Sequence, residues 1–197
     1  MALKAKALKK QENKWYHKYR WFYTSNNLLV VGGKSAEQNE ELVKKFMPNG
    51  RYIVMHTKSP GSPFSIINSD KCSNIDLEET EIFTASFSRA WRENKKSEYI
   101  DTFLMEQIIK KKSMKTGTFG VIGEVDRKKI DLKLYLTSQE GKIRAIPYQQ
   151  KGSINSIKIV PGKINKDQFA EQIAIKLEVP LEEVLQALPT GGFKITK

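Results

Sequence analysis

The sequence predicts an α+β fold class: a single domain with a mostly antiparallel sheet, several helices and a C-terminal helical hairpin. Three observations predict it. Short aromatic and β-branched runs recur between turn residues, at "RWFYT", "LLVV", "RYIVMH" and "FSIIN". Capping signals at Ser35 and Asp76 open helical patterns among those runs. The tail then changes character, with two helical patterns meeting at Pro180. A chain of 197 residues fits one domain, and 39% hydrophobic content with 9 Phe, 7 Tyr and 3 Trp can bury a sizeable core.

Each element has a local cause. Residues 2–18 read as a basic amphipathic helix, with Leu8, Trp15 and Tyr19 on one face and lysines over much of the rest. "RWFYT", "SNN" and "LLVVGG" read as a tight hairpin, because Asn tolerates positive φ. Ser35 and Gln38 form a capping-box pattern for a helix to about Phe46, which Pro48, Asn49 and Gly50 stop. A strand over 51–56 ends at His56, and the loop "TKSPGSP" leads to the next strand, "FSIIN". Asp76 as N-cap, with Glu79 three residues on, starts a helix presenting Phe83, Phe87, Ala90 and Trp91 on one face. Further strands are expected at 99–109, 118–125, 130–137, 142–147 and 156–161. Asn165 caps a helix holding Phe169, Ile173 and Leu177, and Pro180 opens a shorter one with Leu181, Val184, Leu185 and Leu188.

Charge narrows the partners. Lys and Arg outnumber Asp and Glu by 34 to 22, a net +12. Such a field favours RNA, DNA or an anionic membrane surface, although a protein can also be basic without such a partner. Cys72 is the only cysteine, so no intrachain disulfide or cysteine-based zinc site can form, which suits a reducing cytoplasm. The two histidines, His17 and His56, are too few for a dedicated metal site, and neither metal nor cofactor is expected. No apolar run reaches the ~18 residues of a membrane helix. The N-terminal "MALKAKALKK" lacks the apolar stretch of a signal peptide, so the expected location is cytoplasmic, away from membranes.

Several residues can carry chemistry. His56, between a strand and a Pro-Gly loop, is either a buried structural histidine or a donor to a phosphate or base. Lys58, Ser59, Gly61 and Ser62 supply a cation, hydroxyls and a small residue in a loop whose backbone amides could approach a phosphate. The same loop can be an ordinary strand connection, and it is not a P-loop. Along the first strand Arg20, Phe22 and Thr24 share one face and Trp21 and Tyr23 the other. Phe22 or Trp21 then belongs to the core, while Arg20 and Tyr23 are the contact candidates. Lys110, Lys111, Lys112 and Lys115 form the densest basic run, either a solvated face or a phosphate contact. Trp91 reads as core, with Arg89 and Arg92 complementing a helix C-terminus.

The order of these motifs resembles a known family. "WYHKYRWFYTSNNLLVVGGKSAEQNEELVKKF", then "HTKSPGSPFSIIN", the helix from Ser86 to Trp91 and "KTGTFG" (115–120) are together similar to the NFACT-R module of fibronectin-binding-protein-A-like and ribosome-associated quality control proteins. The resemblance covers about residues 14–135. It divides the chain into a basic helical extension (1–13), an NFACT-R-like RNA-binding domain (14–135), and C-terminal strands with a helical hairpin packed on the same domain (136–197). "VPGKINKDQFAEQI…LPTGGFKI" is similar to the tail of archaeal full-length members. The glycosylase-related, helix-hairpin-helix and coiled-coil parts of full-length members have no counterpart in this sequence. The resemblance therefore implies a stand-alone module, and no tRNA-handling residue carries over from those parts. Where several relatives have Ala-Asp after the histidine, this sequence has Thr57-Lys58, replacing a carboxylate with an ammonium and favouring anion binding over acid–base chemistry.

The expected function is therefore RNA binding without catalysis, to tRNA or ribosomal RNA. The setting would be ribosome-associated quality control or a translation or RNA-modification pathway. The ribosome, a separate NFACT-N-type protein and an RNA-modification protein are the candidate partners. Two other classes stay open: an RNA-modifying or hydrolytic enzyme centred on His56, and an adaptor that docks on a ribosomal or RNA-modification protein. Phosphate attraction alone does not separate RNA from DNA.

Overall fold

The computed structural model describes residues 14–150 and 156–196. The expected helix over 2–18 falls largely outside them. Within them, Trp15–Lys18 is a single 3-10 turn, and Tyr19 is already extended and buried. The helical expectation is corrected there, because Tyr16, Tyr19 and Trp21 all turn into one aromatic core.

The first sheet opens with the hairpin β1 (Arg20–Tyr23) and β2 (Leu29–Gly32), with Arg20 opposite Gly32 and Tyr23 opposite Leu29. Its turn places Asn27 at φ 63°, the left-handed conformation that Asn tolerates. Helix α1 (Ala36–Phe46) follows, with Ser35 Oγ accepting the Gln38 amide at 3.3 Å. The Gln38 side chain accepts instead from the Lys34 amide, so the capping box is displaced by one residue. Strands β3 (Ile53–Thr57) and β4 (Ser65–Ile67) flank the His56 loop.

Helix α2 (Asn74–Ser86) is capped by Ser73, with Asp76 at the third position bonding back to the Ser73 amide. Asp76 is thus not the N-cap, and Glu79 accepts from the Ser25 amide across the fold. The helix stops before Phe87. Ser88 Oγ donates to the Ala85 carbonyl at 2.6 Å and accepts from the Ala90 amide, starting a separate turn, α3 (Arg89–Arg92). Strand β5 (Ser97–Leu104) ends at a 3-10 turn over Met105–Gln107, so the 99–109 strand is broken. The short pair β6 (Ile108–Ile109) and β7 (Gly120–Val121) brackets the lysine loop, and β8 (Asp126–Asp131) returns to the edge of the first sheet. That sheet is antiparallel throughout, in the order β1-β2-β4-β3-β5-β8.

The second sheet takes β9 (Leu134–Gln139), β10 (Lys142–Ile146), β11 (Ile157–Ile164) and, after α4 (Lys166–Leu177) and α5 (Leu181–Ala187), β12 (Phe193–Thr196). Its order is β10-β9-β11-β12. The two helices form the expected hairpin, reversing at Glu178 in the left-handed conformation. The closing strand β12 was not foreseen in the tail.

Two cores lie on opposite faces of the first sheet. Phe22, Val30, Met55, Ile67 and Ile100 point to α2 and onward to the second sheet. Their neighbours Trp21, Val31, Val54, Ile66 and Phe103 point to α1. Period-two alternation thus feeds both cores, which is why the strands read as continuous apolar runs.

Candidate nucleic-acid interface

A cleft of about 650 Å³ opens where the β3–β4 loop, the start of α1, α3 and the 110–119 loop converge. Among the described residues its charged lining is Arg20, Lys34, Lys58, Arg89 and Arg92, with a single carboxylate, Asp101. Arg127 holds that carboxylate through two bonds, Nε to Oδ1 at 2.5 Å and NH2 to Oδ2 at 2.8 Å. The net field in the cleft is therefore cationic.

Asn39 builds the cleft floor. From α1 its Oδ1 accepts the Phe64 amide at 3.0 Å, and its Nδ2 donates to the Ser62 carbonyl at 3.4 Å. A Cβ on Gly33 would lie 2.2 Å from Asn39 Oδ1, so only glycine lets the chain pass beside this amide. Gly61 sits at φ 113° with Arg89 packed against it, and its carbonyl accepts the Arg89 amide at 2.8 Å. The loop is thus fixed to α1 by the Asn39 side chain and to α3 by a backbone bond.

The expected site residues separate into groups. Arg20, His56, Lys58, Gly61 and Ser62 all line the cleft. His56 lies tilted on Phe64 at 4.4 Å, and its Nδ1 is 2.7 Å from the Thr57 carbonyl. Burial lowers its pKa, outweighing the Thr57 carbonyl and Asp101 opposite it on β5, so the ring is neutral at pH 7. Ser62 is buried, its Oγ accepting the Thr57 amide and donating to the Pro63 carbonyl. The Ser59 carbonyl accepts the Thr57 hydroxyl. Both serines shape the loop through these bonds.

Tyr23 lies elsewhere, its hydroxyl 2.7 Å from Tyr16 and 3.3 Å from Glu140. Lys110 is tied down: Nζ reaches Glu40 at 2.9 Å, the carbonyls of Lys115 and Thr118, and the face of Phe119. Lys111, Lys112 and Lys115 are exposed on the loop that Lys110 anchors, and Gly117–Phe119 of that loop form a cleft wall.

Lys34 is absent from the sequence-predicted contacts, and Arg89 and Arg92 figure in the sequence only as complements to a helix C-terminus. Gly32-Gly33 served only as a strand stop and Ser35 only as a cap. The run "GGKS" before a capped helix was the available signal, since it sets a cation at a helix N-terminus. Arg89 and Arg92 became recognisable only when Gly61 drew α3 against the loop.

The fold and cleft define a two-sheet α+β domain with a recessed basic site. Residues 18–123 match the family model described as the NFACT protein RNA binding domain, more than half of the chain, and the chain belongs to that family. The archaeal Rqc2 homolog aRqcH of Methanocaldococcus jannaschii is 30% identical over 206 residues, covering 95% of this chain and 30% of that relative. The ribosome quality control complex subunit NEMF homolog of Drosophila melanogaster is 36% identical over 80 residues, covering 39% of this chain and 8% of its own length. Among solved structures, the C-terminal part of the fibronectin/fibrinogen-binding protein from Streptococcus suis superposes with a TM-score of 0.49 at 22% identity, over 66% of this chain and 50% of that one. The chain thus spans under a third of the curated relatives it matches. Among the described residues, no helix is long and apolar enough to cross a membrane.

Proposed function

We propose that this chain binds RNA through the basic cleft and the adjoining lysine loop, as a non-catalytic module. The observation that carries it is the concentration of Arg20, Lys34, Lys58, Arg89 and Arg92 around one recess whose only carboxylate among the described residues, Asp101, is already paired. The arginines offer planar forks for phosphate oxygens, and the exposed Lys111, Lys112 and Lys115 extend the field along an RNA strand. Gly61 and Ser62 hold the loop in register, and Ser59 lies exposed beside Lys58 at its tip. Neutral His56 presents a ring that can bond or stack against a base. Tyr23 belongs to a separate patch.

Family membership and the ribosome quality control names of the relatives support a setting in ribosome-associated quality control, in the cytoplasm, with tRNA or ribosomal RNA as the ligand. Ultraviolet crosslinking of the tagged protein in cells, with sequencing of attached RNA, tests this. Enrichment of tRNA or one ribosomal RNA region, lost in an Arg89→Ala/Arg92→Ala variant, supports it. Diffuse background unchanged by the variant contradicts it and favours a protein-docking adaptor.

A further inference from the structure

Half-buried Lys110 is neutralised by Glu40, and Arg127 on the surface by Asp101. Arg20 and Arg144 are not. Neither makes an ion pair among the described residues, although each is largely buried, and the Arg144 Nε is a buried donor with no acceptor. A buried charge or donor left unpaired is costly, so folded proteins seldom keep one without a ligand or a partner.

The two guanidinium groups are held alike. Arg20 lies over the Phe87 ring at 4.4 Å and Arg144 over the Trp21 ring at 4.5 Å. The cation–π contact holds each group over its ring and takes up none of its N–H donors. Arg20 begins β1 in the first sheet, and Arg144 lies in β10 of the second, where the two strands touch.

Two lysines share the neighbourhood. Lys34 stands just ahead of the α1 cap, and its pKa is lowered by burial and by the charges of Arg144 and Arg20. Lys166 is lowered by burial and then by Arg20. The nearby carboxylates do not relieve this repulsion by contact. Glu183 near Arg144 accepts from the Ile143 amide, and Asp167 and Glu182 act only at a distance on Lys166.

We propose that Arg20, Lys34 and Arg144 form a phosphate-binding subsite at the junction of the two sheets. It adjoins the cleft through Arg20 and Lys34 and takes one phosphate group of the bound RNA. The source of that phosphate rests on the RNA-binding reading; the site itself does not. Arg144 lies outside the family-matched segment, so the C-terminal sheet would complete the site.

The test compares wild type with Arg144→Met, which keeps an unbranched stem over Trp21, and with Lys34→Met on the exposed rim. Thermal unfolding is followed with inorganic phosphate or pyrophosphate. Binding is measured with a short RNA carrying a 5′-phosphate and with the same RNA carrying a 5′-hydroxyl. The proposal expects a phosphate-dependent rise in wild-type Tm that both variants lose, and RNA affinity weakened about tenfold in each. Loss confined to the 5′-phosphorylated RNA assigns a terminal phosphate; equal loss with both RNAs assigns an internal one. If Arg144→Met fails to fold, Lys34→Met decides alone. Folded variants that match wild type with phosphate and RNA overturn the subsite and leave the RNA reading standing. A phosphate effect without RNA binding by wild type overturns the RNA reading and keeps the subsite.

Discussion

Asn39 Oδ1 accepts the Phe64 backbone amide at 3.0 Å, joining α1 to the far end of the His56 loop. Both partners are buried, and the same side chain reaches the Ser62 carbonyl. The cleft keeps its shape because this bond does not compete with water.

Asn39→Ala leaves the Phe64 amide buried and unpaired, so it should cost about 1–3 kcal/mol of stability. Gly33→Ala should have at least as large an effect, because its Cβ would overlap the Asn39 amide. Chemical denaturation of the two single variants and the double variant checks this. A double variant destabilised by less than the sum of the two single ones is expected, since both changes break the same side-chain contact, while the Gly33 Cβ still meets the Asn39 backbone nitrogen.

Lys110 and Lys111 are adjacent in sequence and differ in role. Lys110→Ala removes the anchor of the 110–119 loop and should lower stability and loosen the loop, whereas Lys111→Ala should stay within about 0.5 kcal/mol of wild type. Amide hydrogen exchange over 114–119 reports the difference.

The Lys110 ammonium, then the Gly117 amide and Lys44, hold the Glu40 carboxyl down at about 2, from an ordinary value of 4.5. Because the folded value is the lower one, the contribution is complete above pH 4.5 and is lost as pH falls through about 2. The Gly117 amide donates to Glu40 at 2.8 Å, so its NMR shift should titrate near pH 2 and not near 4.5.

His56 behaves in the opposite chemical sense with the same stability trend. Burial disfavours its charged form, so the unfolded chain takes up the proton first, near the ordinary value of 6.5. Stability should be unaffected by His56 above that value and should decline as pH falls through it toward the lower folded value. RNA affinity should not change with His56 ionisation between pH 7 and 8.5. His56→Gln should remove the His56 share of the trend below pH 6.5, while His17, whose pKa burial also lowers, keeps its own share.

The strands from β1 to β4 were legible because they carry apolar residues for two cores, and Ser35 and Asn165 marked their helices through their own side chains. The expected 118–125 strand is only Gly120–Val121, and charged, exposed β8 (Asp126–Asp131) fell between the expected ones. Boundaries failed where a side chain bonded to a partner other than the expected one, distant for Glu79 and local for Ser88. Glu79 was read as a capping partner and serves Ser25, and Ser88 breaks what looked like one helix. The His56 loop was legible as a polar, glycine-containing connection. The rest of the cleft was not, because Lys34, Arg89 and Arg92 come together only through tertiary packing. Lys110 looked like its neighbours in the basic run, and only the position of Glu40 separates it from them.

The most direct measurement is the affinity of one structured RNA across a series of salt concentrations, for wild type and for Arg89→Ala/Arg92→Ala. If the cleft holds phosphates, log affinity falls linearly with log salt, and the variant flattens the slope by roughly 0.7–0.9 for each arginine that meets a phosphate. An unchanged slope and affinity in a folded variant would contradict an RNA site in the cleft.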